Sequence, residues 1–383
     1  MRNDVCQPIV RTLLRHIEER RSWTTTPSSV SARGYCDPAV LAAERASLFT
    51  AWPQAVALSV DLPDAGSFLT RDTLALPVVL TRDGDGAVHA FANVCAHRGS
   101  QVAPDGRGCQ RRLTCPYHAW TYDLGGDLVG LPDRDAFPDV TTPGPGLRAL
   151  PAVERHGVIW VVPDLSGDRS PEPELGALGD DLGAFDIPAH RFWRTHRFHL
   201  ELNWKLVVDT FLEPYHFASL HRDTVGPLFV ANLCHAERFG QHVREVLPRM
   251  TIAELAGTPP PSWDLVPHSA LVYVLFPSTV FVVQVDHIEV WRVAPDPHDP
   301  ARCTCDLDFY VPAEPTSDSI ERHWERNWKL TIDTVIEEDF AAMAGVQRGL
   351  ASGAIDALRI GANEPALGMF HDAVAEALAP APT

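Results

Sequence analysis

Residues 95–99 read Cys95-Ala96-His97-Arg98-Gly99, and residues 115–120 read Cys115-Pro116-Tyr117-His118-Ala119-Trp120. Cysteine thiolate and imidazole are both good transition-metal ligands. Within each pair the Cys and His are close enough in sequence to share one tight loop, and Gly99, Pro116 and Tyr117 fit loops of that kind. The stretch 98–114 between the pairs lets the loops come from different hairpins and face each other. Each loop then offers one sulfur and one nitrogen. A [2Fe–2S] cluster with Cys₂ on one iron and His₂ on the other needs that inventory. A structural zinc site also accepts two Cys and two His. Its usual arrangement pairs Cys with Cys and His with His, whereas here they alternate. The cysteines at 6, 36, 109, 234, 303 and 305 are read as buried or surface thiols.

Around these loops the hydrophobic period is that of strands. Segments 55–61, 76–82 and 87–93 are split by turn signals such as Asp83-Gly84-Asp85-Gly86, and short strands with Gly/Pro turns continue to Pro163. That describes a small all-β domain. Upstream, Ile9, Leu13, Leu14 and Ile17 are spaced for a helix face over 8–21, and 38–49 reads as a second short helix with Pro38 near its start. Residues 166–190 are rich in Gly, Pro and Asp and read as a linker or surface excursion. Beyond them come a helical stretch at 204–220, strand-like runs at 270–276, 279–285, 287–293 and 305–311, and a long helical stretch from about 317 to 351. Strands followed by helices predict an α+β domain. There is no internal repeat and no low-complexity tract.

The chain has 383 residues, 45% hydrophobic and 21% charged, the profile of a globular protein with a sizeable core. Its formal net charge of −18 argues against nucleic acid and against an anionic membrane surface as partners. The same acidity favours docking of a basic partner protein. No hydrophobic run approaches the roughly 18 residues needed to span a bilayer. Residues 1–19 lack the apolar core of a signal peptide. The expectation is therefore a cytoplasmic protein whose eight cysteines are reduced thiols or metal ligands.

A second constellation lies at 203–221. Asn203 is a helix N-cap candidate. Asp209, Glu213 and His216 follow at i, i+4 and i+7, which on a helix is one face and suggests a buried polar site. His221 comes five residues after His216, a spacing that asks for a kink or a helix end, with Pro214 as a local cause. Two histidines and one carboxylate at Fe(II) leave positions open for O₂ and substrate. Residues 332–350 offer the carboxylate. Ile332, Val335, Ile336, Asp339, Met343 and Val346 form one helical stripe, with Asp339 on it and Glu338 on the opposite side. A carboxylate on an apolar face costs several kcal/mol unless paired or metal-bound. Read singly, each of these groups also fits a satisfied core histidine or a buried ion pair.

Taken together, the motifs resemble those of the Rieske non-haem iron oxygenases, in particular the large (alpha) subunits of the aromatic-ring-hydroxylating dioxygenase family. The resemblance rests on Cys-x-His-Arg-Gly with Cys-Pro-Tyr-His-x-Trp, on the continuation Thr121-Tyr122-Asp123-Leu124-x-Gly126, and on Asn203-Trp204-Lys205 leading to His216 and His221. It also rests on Glu338-Asp339 followed by Gln347-Arg348-Gly349-Leu350. It covers roughly residues 40–350. It implies an α+β protein: a small all-β Rieske [2Fe–2S] domain joined to an α+β helix-grip (START-like) catalytic domain with an antiparallel sheet. The implied division is 1–50 as a helical segment packing on the catalytic domain, 51–163 as the Rieske domain, and 164–383 as the mononuclear iron domain. By the same resemblance Cys95 and Cys115 hold the inner cluster iron and His97 and His118 the outer one, while His216, His221 and Asp339 hold the catalytic Fe(II).

The resemblance gives Glu213 the role of an electron bridge, from His118 of one chain to His216 of the partner subunit. Asp209 becomes a supporting position beside the ligands. Many members have Asp where Glu213 stands, and quaternary-amine oxygenases have Glu. Members often have Asn where this chain has Thr210, which leaves position 210 without an assigned role. The implied chemistry is hydroxylation or oxidative demethylation of a small aromatic or alkyl-amine substrate. The implied co-reactants are O₂ and electrons from NAD(P)H, delivered through a partner reductase and in some systems a ferredoxin. The implied assembly is a homotrimer. No Gly-x-Gly-x-x-Gly is present to bind NAD(P)H on this chain. Phe229, Phe281 and Val283 are pocket candidates. The competing reading is a Rieske electron-transfer protein with a non-catalytic binding domain.

Overall fold

Between residues 54 and 92 the strand formers come in pairs that face opposite ways. In a computed structural model, which describes residues 1–21, 25–72, 76–144, 146–312 and 317–379, this alternation builds two apolar layers. Phe68, Val79 and Phe91 enter one cluster, together with Cys95, Cys115 and Trp120. Leu69, Val78, Leu80 and Ala90 enter the other, with Ile159 and Val161. Successive side chains of a strand point to opposite faces, so one sheet serves both layers. That sheet is antiparallel and five-stranded, in the order Ala149–Leu150, Val88–Ala92, Val78–Arg82, Ser67–Arg71, Arg107–Cys109. Two three-stranded sheets complete the compact unit Phe49–Pro173. Gly126 is required where it stands: its φ is +90°, and a Cβ there would meet the Phe91 ring at 2.3 Å.

The second unit joins Met1–Leu48 to Glu174–Thr383. Its centre is a seven-stranded antiparallel sheet, in the order Arg191–Leu200, Cys303–Val311, Ile288–Pro295, Thr279–Val283, Ser269–Leu275, His242–Pro248, His235–Phe239. The helix Asp318–Thr334 lays Trp328 against Phe309 and Trp193 of this sheet. Further on, Phe340 packs edge-on against Phe198 and Trp291. The α+β expectation holds: an all-β unit, and a unit in which helices cover an antiparallel sheet. Among the described residues, no helix is long and apolar enough to cross a membrane.

The N-terminal residues are anchored within this second unit. The helix Asn3–Glu19 buries Cys6, Ile9, Val10 and Leu13. Ser28–Ser31 pairs antiparallel with Ala357–Ile360. Glu44, 1% exposed, accepts from Lys205 Nζ at 2.5 Å and from Trp204 Nε1 at 2.8 Å.

Three expectations change. The helix begun at Trp204 stops at Asp209, and a short 3-10 turn, Tyr215–Ala218, follows instead of a continuous helix to 220. Pro214 accounts for this, since its ring clashes with the carbonyl four residues back and disfavours helical geometry at residue 213. Asp209, Glu213 and His216 therefore do not share a helix face. The excursion at 166–190 contains the helix Ala177–Gly183, which buries Leu178, Asp181 and Leu182. Its composition hid a helical spacing of leucines. Third, the long C-terminal helical run contains a π-helical turn, Val335–Phe340, between Asp318–Thr334 and Ala341–Ala351. Each π turn takes an extra residue, so α-helical counting fails beyond it. Ile336, expected on the buried stripe, is 43% exposed.

Candidate metal centres

The Cys95-x-His97 and Cys115-x-x-His118 loops share one backbone pattern. In the first, Gly99 N–H donates to Cys95 O and Cys95 N–H to Ser100 O. In the second, Ala119 N–H donates to Cys115 O and Cys115 N–H to Trp120 O. Both loops close through a left-handed residue, Gly99 at φ 76° and Ala119 at φ 56°. Asn93 braces the first loop: its side chain accepts from Val102 N and Ala103 N and donates to Ala103 O.

The Cys95 and Cys115 thiols are buried and not in a disulfide. The His97 and His118 rings lie 4.6 Å apart, and His97 stacks on Trp120. Their Nδ1 atoms are buried without a hydrogen-bond partner among the described residues. A buried imidazole nitrogen left unpaired is costly unless something binds it, so two thiols and two such nitrogens fit a metal cluster. Tyr122 Oη lies 3.2 Å from Cys95 Sγ and accepts from Ala96 N–H. Burial pushes the Cys115 thiol up. The backbone N–H groups of Tyr117 and His118, with Cys95 and Ser100, reverse that and leave it below the ordinary thiol range.

In the second unit, Asn203-Trp204-Lys205 proves to be an anchor. Asn203 caps the helix through Lys205 N and donates to Pro300 O, while Trp204 and Lys205 hold Glu44. The chain then turns through 211–214 and presents His216 and His221. Gly226 N–H donates to His221 O, and a Cβ at 226 would lie 2.5 Å from Phe217 O. Only glycine allows that approach.

His216 Nε2 and His221 Nε2 are 3.1 Å apart, and Asp339 Oδ1 lies 3.5 Å and 3.2 Å from them. The ligand atoms of these three side chains all fall within 4.8 Å of one another. They are the one such group of three or more His, Cys, Asp or Glu side chains among the described residues. The Cys/His quartet is spread more widely than the shell of a single ion, which speaks against a mononuclear zinc site there. Behind each imidazole stands a carboxylate. Glu213 Oε1 lies 2.5 Å from His216 Nδ1, and Glu338 Oε2 lies 2.5 Å from His221 Nδ1. Such partners hold the proton on Nδ1 and aim the Nε2 lone pair at a metal. Thr210 Oγ1 donates to Asp339 Oδ1 at 3.1 Å, and Thr224 Oγ1 to Glu338 Oε2 at 2.8 Å. Burial pulls the His221 pKa down, but Asp339 and Glu338 more than reverse it. The excess of negative charge suits a divalent cation.

Glu338 thus corrects the sequence reading, which sent it to the opposite side of the helix. The π-helical turn brings consecutive acids to one centre. Asp209 is not in the triad: it accepts from Tyr35 Oη at 2.8 Å and pairs with His371 Nε2 at 2.9 Å. Sequence reasoning did not find Glu338, Thr224, Tyr35 or His371, and it left Thr210 without a role. The usable signal for Glu338 was the need of every metal-binding imidazole for a partner at its other nitrogen.

The triad opens onto a cavity of about 350 Å³, within the usual range for small-molecule sites. Phe229 lines it, together with Phe211, Phe217, Val272 and Val282. Phe281 and Val283 do not. They alternate with Val282 and Gln284, and Phe281 packs against Tyr273 and Phe185 on the other face of the sheet.

A family model for the ring hydroxylating alpha subunit (catalytic domain) matches residues 189–380, and one for the Rieske [2Fe-2S] domain matches 52–149. The chain belongs to the ring-hydroxylating alpha-subunit family. As such it carries a Rieske [2Fe–2S] domain joined to a non-haem iron catalytic domain. Among its relatives, the choline monooxygenase of Atriplex hortensis is 28% identical over 85% of this chain and 71% of its own length. The glycine betaine monooxygenase oxygenase subunit of Chromohalobacter salexigens is 30% identical over 51% of this chain but only 43% of its own. The solved structure of a quaternary ammonium Rieske monooxygenase in complex with L-carnitine shares the fold. Its TM-score is 0.75, at 20% identity, covering 93% of this chain and 95% of that one.

Proposed function

We propose that this alpha subunit is the oxygenase component of a Rieske oxygenase that hydroxylates a small organic substrate, with oxidative N-demethylation of an alkyl amine as its reaction. The observation that carries this is the convergence of His216, His221 and Asp339 on one point of a cavity wall, with each imidazole backed by its own carboxylate. The relatives named for choline and glycine betaine support an amine substrate. When bound, the cluster and the iron supply electron transfer and O₂ activation.

The chain's own residues do the rest. Cys95, His97, Cys115 and His118 would hold the cluster. His216, His221 and Asp339 would hold the iron by three protein donors and leave open positions. Glu213 fixes the His216 tautomer and is placed to couple His216 to an incoming electron. Phe211, Phe217 and Phe229 keep water from the reacting end. Electrons come from NAD(P)H through a partner reductase, with or without a ferredoxin. A homotrimer, closed head to tail, would let Glu213 serve a neighbouring subunit, and the assembly would be cytoplasmic. An electron carrier without catalysis would leave the triad and its two backing carboxylates idle.

Anaerobic purification with an iron and acid-labile sulfide count tests this reading. About three irons and two sulfides per chain are expected. His118→Ala should lose the visible cluster spectrum, and His216→Ala should lose a single iron. Two irons, unchanged by His216→Ala after Fe(II) is added back, would establish the electron carrier instead.

A further inference from the structure

The acids of the catalytic cavity are already answered from within the protein. Asp286 is met by His287 Nδ1 at 2.9 Å and His323 Nε2 at 2.6 Å. Glu289 accepts from Trp291 Nε1 at 3.0 Å and Thr331 Oγ1 at 3.0 Å, and meets His287 Nε2 at 3.2 Å. Asp339 belongs to the triad.

Arg249, on the same cavity wall, is different. Its backbone is fixed: the N–H donates to His268 O, and residue 249 bridges Phe229. Its guanidinium lies 4.8 Å over the Phe229 ring. The side chain's one acceptor among the described residues is Gln284 Oε1, 2.8 Å from Nη2. Nε is buried with no hydrogen-bond partner among the described residues. Asp286 of the same wall acts on the group through its charge but makes no ion-pair contact with it, its carboxylate being held by His287 and His323. Burial lowers its pKa from the ordinary arginine value, but guanidinium stays charged in proteins. Because Gln284 Oε1 is taken by Arg249, the amide nitrogen of Gln284 is presented as a further donor, without a partner among the described residues. A fixed guanidinium fork with free donors, beside an amide N–H₂ and an aromatic face, is the complement of a carboxylate.

We infer that Arg249, with Gln284, is the carboxylate anchor of the cavity, so that the alkyl-amine substrate also carries a carboxylate and is a small zwitterion. Phe217 spaces this anchor from the triad. Its ring stands 5.0 Å and 5.3 Å from the His216 and His221 rings and 5.3 Å from Phe229. Phe229 and Phe217 thus form a contact path from the anchor to the metal ligands along the cavity wall. The inference rests on the oxygenase reading of the same cavity and adds to it the charge its substrate must carry.

The test is calorimetric titration of the iron-loaded protein with matched probes: glycine betaine against choline, and benzoate against benzamide. In wild type, the carboxylate of at least one pair should bind about tenfold or more tightly than its partner, the margin of a charged hydrogen bond. Arg249→Gln should erase that ratio with iron and sulfide content unchanged, and Arg249→Lys should keep part of it. No preference for the carboxylate of either pair, or a preference that survives Arg249→Gln, overturns the anchor. A full metal count without the preference strikes the anchor alone. An Arg249-dependent preference in a chain that never holds a third iron strikes the oxygenase reading alone.

Discussion

Glu213 holds His216 at two points: Oε1 lies 2.5 Å from Nδ1, and Oε2 accepts the His216 backbone N–H at 3.1 Å. One carboxylate thereby sets both the ring's tautomer and the turn that carries it. Glu213→Gln should retain cluster and iron and lose most turnover, by about tenfold to a hundredfold. Single-turnover oxidation of the reduced cluster, followed at its visible bands, should slow in parallel. A variant that turns over like wild type would remove Glu213 from the electron path.

Glu338 plays the corresponding part for His221. Glu338→Ala should weaken Fe(II) retention about tenfold to a hundredfold, the range measured when such partners are removed, while sulfide content stays at two per cluster. Fe(II) titration of the apo-site under argon measures this. Undiminished affinity would mean that Asp339 and the histidines need no help.

Lys205 and Glu44 form a buried pair, 2% and 1% exposed. Burial holds the Lys205 pKa below its ordinary value in spite of Glu44. Removing one partner strands the other, which typically costs about 3–5 kcal/mol. Glu44→Ala should show a loss of that order in urea unfolding. The double change Glu44→Gln with Lys205→Met should recover most of it. If the double variant is as unstable as the single one, the pair is not the cause.

Glu245 is fully buried, and the Cys234 thiol is the weak side-chain donor beside its carboxylate. Burial pushes its pKa from 4.5 up to about 8; the neighbouring Cys234 thiol opposes the shift and Glu213 reinforces it. The folded state therefore keeps a proton that the unfolded state releases above about pH 4.5. This contribution to stability is fully present below the unfolded pKa and is lost as pH rises toward 8, by about 1.4 kcal/mol per pH unit at most. Glu245→Gln should flatten the stability profile between pH 5 and 8. An unchanged slope would show that Glu245 is ionised in the folded protein.

The parts of this protein that were legible from residues alone depend on short-range chemistry. The Cys-x-His and Cys-x-x-His loops declare their ligands by residue type, and strand-like segments such as 76–82 and 87–93 between turn signals declare a small all-β domain. Asp339 stood out because a carboxylate among Val335, Met343 and Val346 needs a partner. What stayed hidden depends on phase. Phe281 and Val283 were chosen for their apolarity, but a strand's period of two put Val282 and Gln284 in the cavity instead. Glu338 was sent outward by counting 3.6 residues per turn through a segment that does not obey it. Arg249 carries no motif, and that it makes no ion-pair contact among the described residues is visible only once the neighbouring strands are assembled.

The π-helical turn at Val335–Phe340 makes this centre sensitive to chain length as well as to residue identity. One residue of an α-helix is worth about 100° of rotation. Deleting a single residue from the turn, for instance exposed Glu337, would let the segment relax to ordinary helix and swing its two acids out of register with the histidines, although no ligand had been replaced. The helix therefore works like a vernier, and a length variant that keeps His216, His221, Glu338 and Asp339 all in place in an alignment could still have no metal site at all.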